Sequence, residues 1–267
     1  MGAFETSDGV LLEFAETGDP TGRAVVLIAG FKAAATSWMY QVPALEKAGY
    51  RVIAFDPRGH GASEKPMHGA NMRRQGTDLH ELLLHLELRD VALVGGAMGA
   101  STVWSSVSQF GTDGISGIVS VDQTPRMLND DDWPHGFYGY DESNAETAFE
   151  DGIPDTRRHA VWRKGVVRTR RLVKAMAGGD RHLSTPELLV LQDHASSDWR
   201  ETIAGTEVPV LFVAGSESEF WPSSHAEAAA SLAPQGSSVV LDKDGHAANI
   251  EQPAAFNAVL LEFLARL

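Results

Sequence analysis

The segment with most chemistry in it is Val94-Gly95-Gly96-Ala97-Met98-Gly99-Ala100-Ser101. It follows an apolar β-type run and leads into a helical one. Gly95 and Gly99 stand two residues either side of Ala97, the spacing of the nucleophile elbow Gly-x-Ser-x-Gly, with alanine where the serine belongs. The central residue of such a bend sits in a strained turn, so its flanks must be small, and the helix N-terminus behind it favours developing negative charge. Alanine has no lone pair, so the chain as written cannot form an acyl-enzyme. A glycine-rich bend can also be a dinucleotide loop. Counted from Gly95, however, Ala97 falls where Gly-x-Gly-x-x-Gly needs its second glycine. With no His-x3-His pair or carboxylate cluster at ligand spacing, no metal is expected, and no cofactor.

The bend needs a sheet to hold it. Short apolar runs alternate with helical stretches, as in a largely parallel sheet with helices on both faces. Strands are expected at Val10–Thr17, Ala24–Gly30, Arg51–Asp56, Val91–Gly95, Gly117–Asp122, Val208–Gly215 and Ser238–Leu241. Their near-continuous Val/Ile/Leu content suits strands covered on both sides. Helices are expected at Thr36–Ala48, Arg73–Leu88, Ala100–Phe110, His225–Leu232 and Ala254–Leu267. From Thr124 to Thr206 the alternation stops, and the stretch reads as a helical insertion over the carboxyl ends of the strands, where α/β sheets bind ligands. The organisation expected is a core of 1–123 and 207–267 with a helical cap of 124–206. The basic run Arg168–Arg171 reads as a solvated helix face.

Taken together, these pieces resemble the α/β-hydrolase family over nearly the whole chain. Ala29-Gly30-Phe31 is similar to that family's loop after the third strand, with Ala29 replacing the usual His. Asp56-Pro57-Arg58-Gly59-His60-Gly61-Ala62-Ser63 is similar to its structural turn, and Gly245-His246 with Asn249-Ile250-Glu251-Gln252-Pro253 to its histidine loop. The resemblance implies a catalytic His246 and an oxyanion hole from the N–H groups of Phe31 and Met98. His60 reads as structural, and His80 and His85 as solvated or helix-packing residues of an amphipathic helix. The acid has two family locations. One falls on Ser218, which cannot serve, with Glu217 and Glu219 beside it. The other, at the end of an earlier strand, falls on Asp122, which is preferred, with Glu219 as the alternative.

Three functions follow. The first is a hydrolase of an ester or lactone in an apolar or aromatic small molecule, silent for want of a nucleophile at residue 97. The second is a cofactor-independent dioxygenase of the same fold, cleaving a 3-hydroxy-4-quinolone-type ring with His246 and Asp122 as base. Gly96 counts against it, because the ring-cleaving members usually carry histidine there. The third is a non-catalytic ligand receptor. Trp38, Trp133, Phe137, Tyr138, Trp162 and Trp221 are the candidate substrate-binding residues.

Composition narrows the partners. The 267 residues carry Lys+Arg 22 against Asp+Glu 36, a net charge of −14, which disfavours nucleic acid and anionic membrane as partners. Cysteine is absent, so there is neither a disulfide framework nor a thiol nucleophile. No apolar run approaches the roughly 20 residues of a membrane span. A soluble cytoplasmic protein acting on a small molecule is expected, and a homodimer is compatible with the chain.

Overall fold

The structure is a computed structural model and describes residues 1–159, 164–175 and 182–267. Eight strands form one sheet: β1 (Gly2–Glu5), β2 (Leu11–Gly18), β3 (Ala24–Ile28), β4 (Arg51–Phe55), β5 (Val91–Gly96), β6 (Ile115–Val121), β7 (Val210–Gly215) and β8 (Gly236–Leu241). Their order is β1-β2-β4-β3-β5-β6-β7-β8, with β1 and β2 antiparallel and every pairing from β4 to β8 parallel. β1 was not expected, because its four residues are too few to show a period.

The central parallel strands β3, β4, β5 and β7 are nearly all apolar because both faces are covered, whereas the edge strand β8 is polar at its start and largely exposed. Successive side chains separate into two layers. Val26, Ile28, Leu93, Ile118 and Phe212 share one core with Leu79, Val103 and Trp104. Val25, Leu27, Val94, Val119 and Val213 share the other with Leu45, Phe256 and Leu260. The helices behind them are α1 (Val42–Lys47), α2 (Met72–His85), α3 (Met98–Phe110), α7 (Ser224–Leu232), α8 (Ala248–Glu251) and α9 (Pro253–Leu264). The single helix expected over Thr36–Ala48 is instead a 3-10 turn at Ala35–Trp38 followed by α1, divided where Pro43 enters the first helical turn. Proline starts a helix well but cannot continue one, lacking an N–H and clashing with the turn before it.

Between β6 and β7 lie α4 (Val166–Ala175), α5 (Thr185–Ser196) and α6 (Arg200–Ala204), and no sheet strand among the described residues. A capping box opens α5: the Ser184 N–H donates to Glu187 Oε2 at 2.7 Å. The helix is fixed to the core at both ends. Lys32 Nζ is 2.8 Å from Glu187 Oε1, and the Met72 N–H donates to Asp193 Oδ2 at 2.6 Å. The basic run is not a solvated face. Arg168 pairs with Glu251 and Glu217, and Arg171 Nη1 donates to the Glu251 carbonyl at 2.7 Å, because the acidic residues it meets come from distant sequence.

Candidate active site

The bend at residue 97 has the strain its glycines imply. Ala97 lies at φ 48° and ψ −127°, a left-handed conformation that costs a side-chain-bearing residue roughly 1–3 kcal/mol. A Cβ on Gly95 would come within 2.4 Å of the Ala100 nitrogen, and one on Gly99 within 2.4 Å of the Ile28 carbonyl oxygen. Both flanks must therefore be glycine. Ala97 is partly exposed, whereas Met98, Gly99 and Ala100 behind it are buried. Its N–H donates to the Val121 carbonyl at 2.9 Å, which seats the bend beside the carboxyl end of β6. Substituting Ala97→Gly should relieve the strain and stabilise the fold by about 1 kcal/mol, a Tm rise of about 2–4 °C. A fall in Tm on thermal denaturation would show that the conformation is not strained.

The next residue after Val121 is Asp122, fully buried and itself at φ 43°. Its carboxylate is saturated. Oδ1 accepts the Gly215 N–H at 2.9 Å, and Oδ2 accepts the Ser218 hydroxyl at 2.6 Å. Oδ2 also lies 2.8 Å from His246 Nδ1, and the buried His225 places Nε2 3.7 Å from Oδ1. Burial pushes this carboxyl up, but the two imidazoles, His225 and then His246, outweigh it and hold Asp122 well below the usual carboxylate range. It therefore stays ionised and fixes Nδ1–H as the His246 tautomer, leaving Nε2 as the basic atom. Ser218, dismissed as an acid from sequence, stands at the other family location and hydrogen-bonds the Asp122 carboxylate at the end of β6.

Glu219 faces the loop rather than the ring. Its Oε2 accepts the His246 backbone N–H at 2.9 Å, and its Oε1 pairs with Lys164. Lys164 is buried and also lies 2.6 Å from Glu251 Oε1, so the 164–175 segment is tied to the histidine loop through charge. A Cβ on Gly245 would come within 1.9 Å of Lys164 Nζ and 2.5 Å of Glu251 Oε1, so a side chain before His246 would displace this ion-pair network. A cavity of about 360 Å³ lined by Arg158, His159, Lys164 and Glu217 lies beside this network.

Within the same loop, Asp244 is completely buried, and its Oδ2 has no hydrogen-bond partner among the described residues. Burial, then the nearby Glu251 charge, push its carboxyl up to about 8. An unfolded Asp titrates near ~3.9. Between these values the folded chain holds a proton that the unfolded chain has lost, so stability from this group is fullest below pH ~3.9 and declines as pH rises to about 8. Replacing Asp244→Asn should remove that decline and leave the variant more stable by about 2–5 kcal/mol above pH 8. Urea unfolding of both proteins across pH measures it, and parallel stability curves would refute it.

Phe31 and Met98 carry the expected oxyanion donors. Met98 opens α3, and neither its N–H nor that of Phe31 has an acceptor among the described residues. Gly30 brings the loop after β3 against the bend, since a Cβ there would lie 3.1 Å from Ala97 Cβ. Strained backbone at Lys32, Ala97 and Asp122 thus surrounds one point on the carboxyl edge of the sheet.

The candidate substrate-binding aromatics divide. Trp221 stands edge-on to the His246 ring at 5.3 Å, and Phe137 packs on Trp221 and Phe220. Tyr138 is half-buried under the Arg158 guanidinium, 4.0 Å from its ring. Two belong to the core instead. Trp38 is 1% exposed and packs on Phe256 beneath the sheet edge. Trp133 is buried, and its indole N–H donates to Thr124 Oγ1 and the Arg126 carbonyl, each at 3.1 Å. Large aromatics serve cores as readily as pockets, and sequence alone does not separate the two. Trp162 lies outside the described residues. Sequence reasoning missed Phe220, the ring nearest His246 at 4.5 Å, and missed His225. Phe220 beside Trp221 was the available signal.

Comparison with known proteins bears on the same region. The family model described as alpha/beta hydrolase fold matches residues 23–253. A non-heme chloroperoxidase of Kitasatospora aureofaciens is 27% identical over 97% of this chain and 98% of its own. A non-heme haloperoxidase of Rhodococcus erythropolis is 33% identical over 46% of this chain and 44% of its own length, less than half of that relative. Among solved structures, a bromoperoxidase from Bacillus anthracis superposes with a TM-score of 0.78 at 29% identity, covering 96% of each chain. An esterase from Exiguobacterium antarcticum, at 20% identity and a TM-score of 0.80 over 99% of this chain and 100% of its own, shares the fold. A match that runs from just before β3 to the start of α9 takes in the bend, the carboxylate strand and the histidine loop alike, and the chain belongs to the alpha/beta hydrolase fold family.

Proposed function

We propose that this chain carries the machinery of an ester or lactone hydrolase for a small apolar or aromatic substrate, complete except for the nucleophile hydroxyl at residue 97. One observation carries the reading: an ionised, fully buried Asp122 orients His246 at 2.8 Å beside a nucleophile bend and two unengaged N–H donors. A hydroxyl on residue 97 would attack the carbonyl while His246 Nε2 takes its proton and later returns it to the leaving oxygen. The N–H groups of Phe31 and Met98 would hold the tetrahedral oxyanion, each worth roughly 3–4 kcal/mol in the transition state. Phe220, Trp221 and Phe137 offer an apolar wall against the imidazole, which suits an aromatic or aliphatic group. The test is hydrolysis of aryl acetates by the chain and by its Ala97→Ser variant. Turnover by the variant alone supports the reading, and inactivity of both refutes it.

A second reading draws on the His246–Asp122 pair standing hydrogen-bonded at 2.8 Å although residue 97 cannot attack. His246 could deprotonate a 3-hydroxy-4-quinolone, whose carbanion would then react with O₂ without a nucleophile. Gly96 bears against it as before, and a Cβ at that position would already meet the Trp38 ring at 3.3 Å. Oxygen consumption by the unsubstituted chain, lost on His246→Ala, would favour this chemistry over hydrolysis.

A further inference from the structure

We propose that His194 is a substrate-binding residue of this site, so that the ester or lactone it accepts bears a second oxygen, a hydroxyl or carbonyl, bonded to that imidazole. The inference rests on the hydrolase reading for the scissile bond and goes beyond it in naming the substrate class.

His194 lies on α5, the helix fixed at Lys32 and at the start of α2. The face it shares is apolar and covers the site. Val190, one turn earlier, clusters with Met98 and Phe31, the oxyanion residues. Leu191 and Ala195 cluster with Phe137, Trp221 and Phe220, the aromatic wall of His246. Residues 190, 191, 194 and 195 occupy one helix stripe, so the His194 ring projects between the oxyanion side and the His246 side. It is 5% exposed, and neither ring nitrogen has a hydrogen-bond partner among the described residues, with Nδ1 wholly enclosed. Burial, then the nearness of His246, bring its imidazole down to about 4, so it stays neutral at physiological pH. A neutral imidazole offers one N–H donor and one acceptor nitrogen. The Trp221 indole N–H, in the same wall, is likewise buried and has no acceptor among the described residues.

An apolar cap would serve a plain hydrocarbon ester better with leucine or phenylalanine at this position. A buried polar group without a partner costs free energy that a ligand oxygen recovers, and a site built to bond such an oxygen rejects the analogue lacking it. His194 therefore acts in selecting the substrate, apart from the proton transfers assigned to His246.

The test reads binding by the unsubstituted chain, so it does not depend on turnover. Phenyl acetate, phenyl glycolate and 4-hydroxyphenyl acetate are titrated by NMR, following the histidine ring signals. The two hydroxylated probes place the extra oxygen on opposite sides of the ester. At least one should bind about tenfold more tightly than phenyl acetate and shift the His194 resonances. His194→Phe should abolish that preference, whereas His194→Gln, which can still donate and accept, should retain part of it. Equal affinities for all probes, absence of binding, or a preference that survives His194→Phe would overturn the proposal. Failure of the hydrolase reading would appear separately, as inactivity of the Ala97→Ser variant.

Discussion

Ala97→Ser is expected to raise aryl-ester turnover by roughly three to six orders of magnitude, from a chain that does not exceed the buffer rate beyond what the oxyanion donors alone supply. On the proposed reading the gain is large because only the hydroxyl is missing. Residue 97 is already at φ 48° at the head of α3, His246 is already held at 2.8 Å by Asp122, and the Phe31 and Met98 N–H groups have no acceptor among the described residues. One oxygen on Ala97 Cβ requires no change of backbone, and the partial exposure of Ala97 leaves it open to the substrate. The measurement is kcat/KM on a set of aryl acetates, with a burst of phenol release expected if deacylation is the slower step. A variant that folds with unchanged Tm and shows no turnover would mean that Nε2 of His246 does not reach residue 97.

In that active background, Asp122→Asn should lower kcat by about ten-thousandfold. An asparagine amide presents N–H where Oδ2 now accepts from His246, so the ring takes the wrong tautomer and its base is turned inward. Ser218 and Gly215, which also donate to this carboxylate, would face a group with half its acceptors. Glu219→Gln is expected to cost about tenfold or less, because glutamine still accepts the His246 backbone N–H while giving up only its charge to Lys164. If Glu219→Gln were the more damaging substitution, the carboxylate roles would be reversed.

These two carboxylates show where sequence reading stops. From the chain alone, Asp122 and Glu219 are both acidic residues at strand ends, and a hydrogen bond to a ring 124 residues away cannot be seen in local pattern. Glu219 turned out to hold the loop that carries His246. The same limit applies to Arg168, whose solvated appearance came from its basic neighbours and whose burial came from Glu251. Trp38 and Trp133 went to the core for the same reason, since indole burial is decided by which layer its element faces.

By itself the sequence determined the sheet and the bend. The central parallel strands are doubly covered and so nearly all apolar, and Gly95 and Gly99 are dictated by backbone approaches of 2.4 Å that leave no room for a Cβ. Both leave their mark in short stretches of sequence, an apolar run and a Gly-x-x-x-Gly spacing. Only the tertiary structure decided which carboxylate meets His246, that Lys164 and Glu251 tie the α4 segment to the histidine loop, and that Phe220 packs edge-on to the imidazole. Those are pairings between distant segments, set by how elements dock, and docking is governed by surfaces that no single stretch of chain contains.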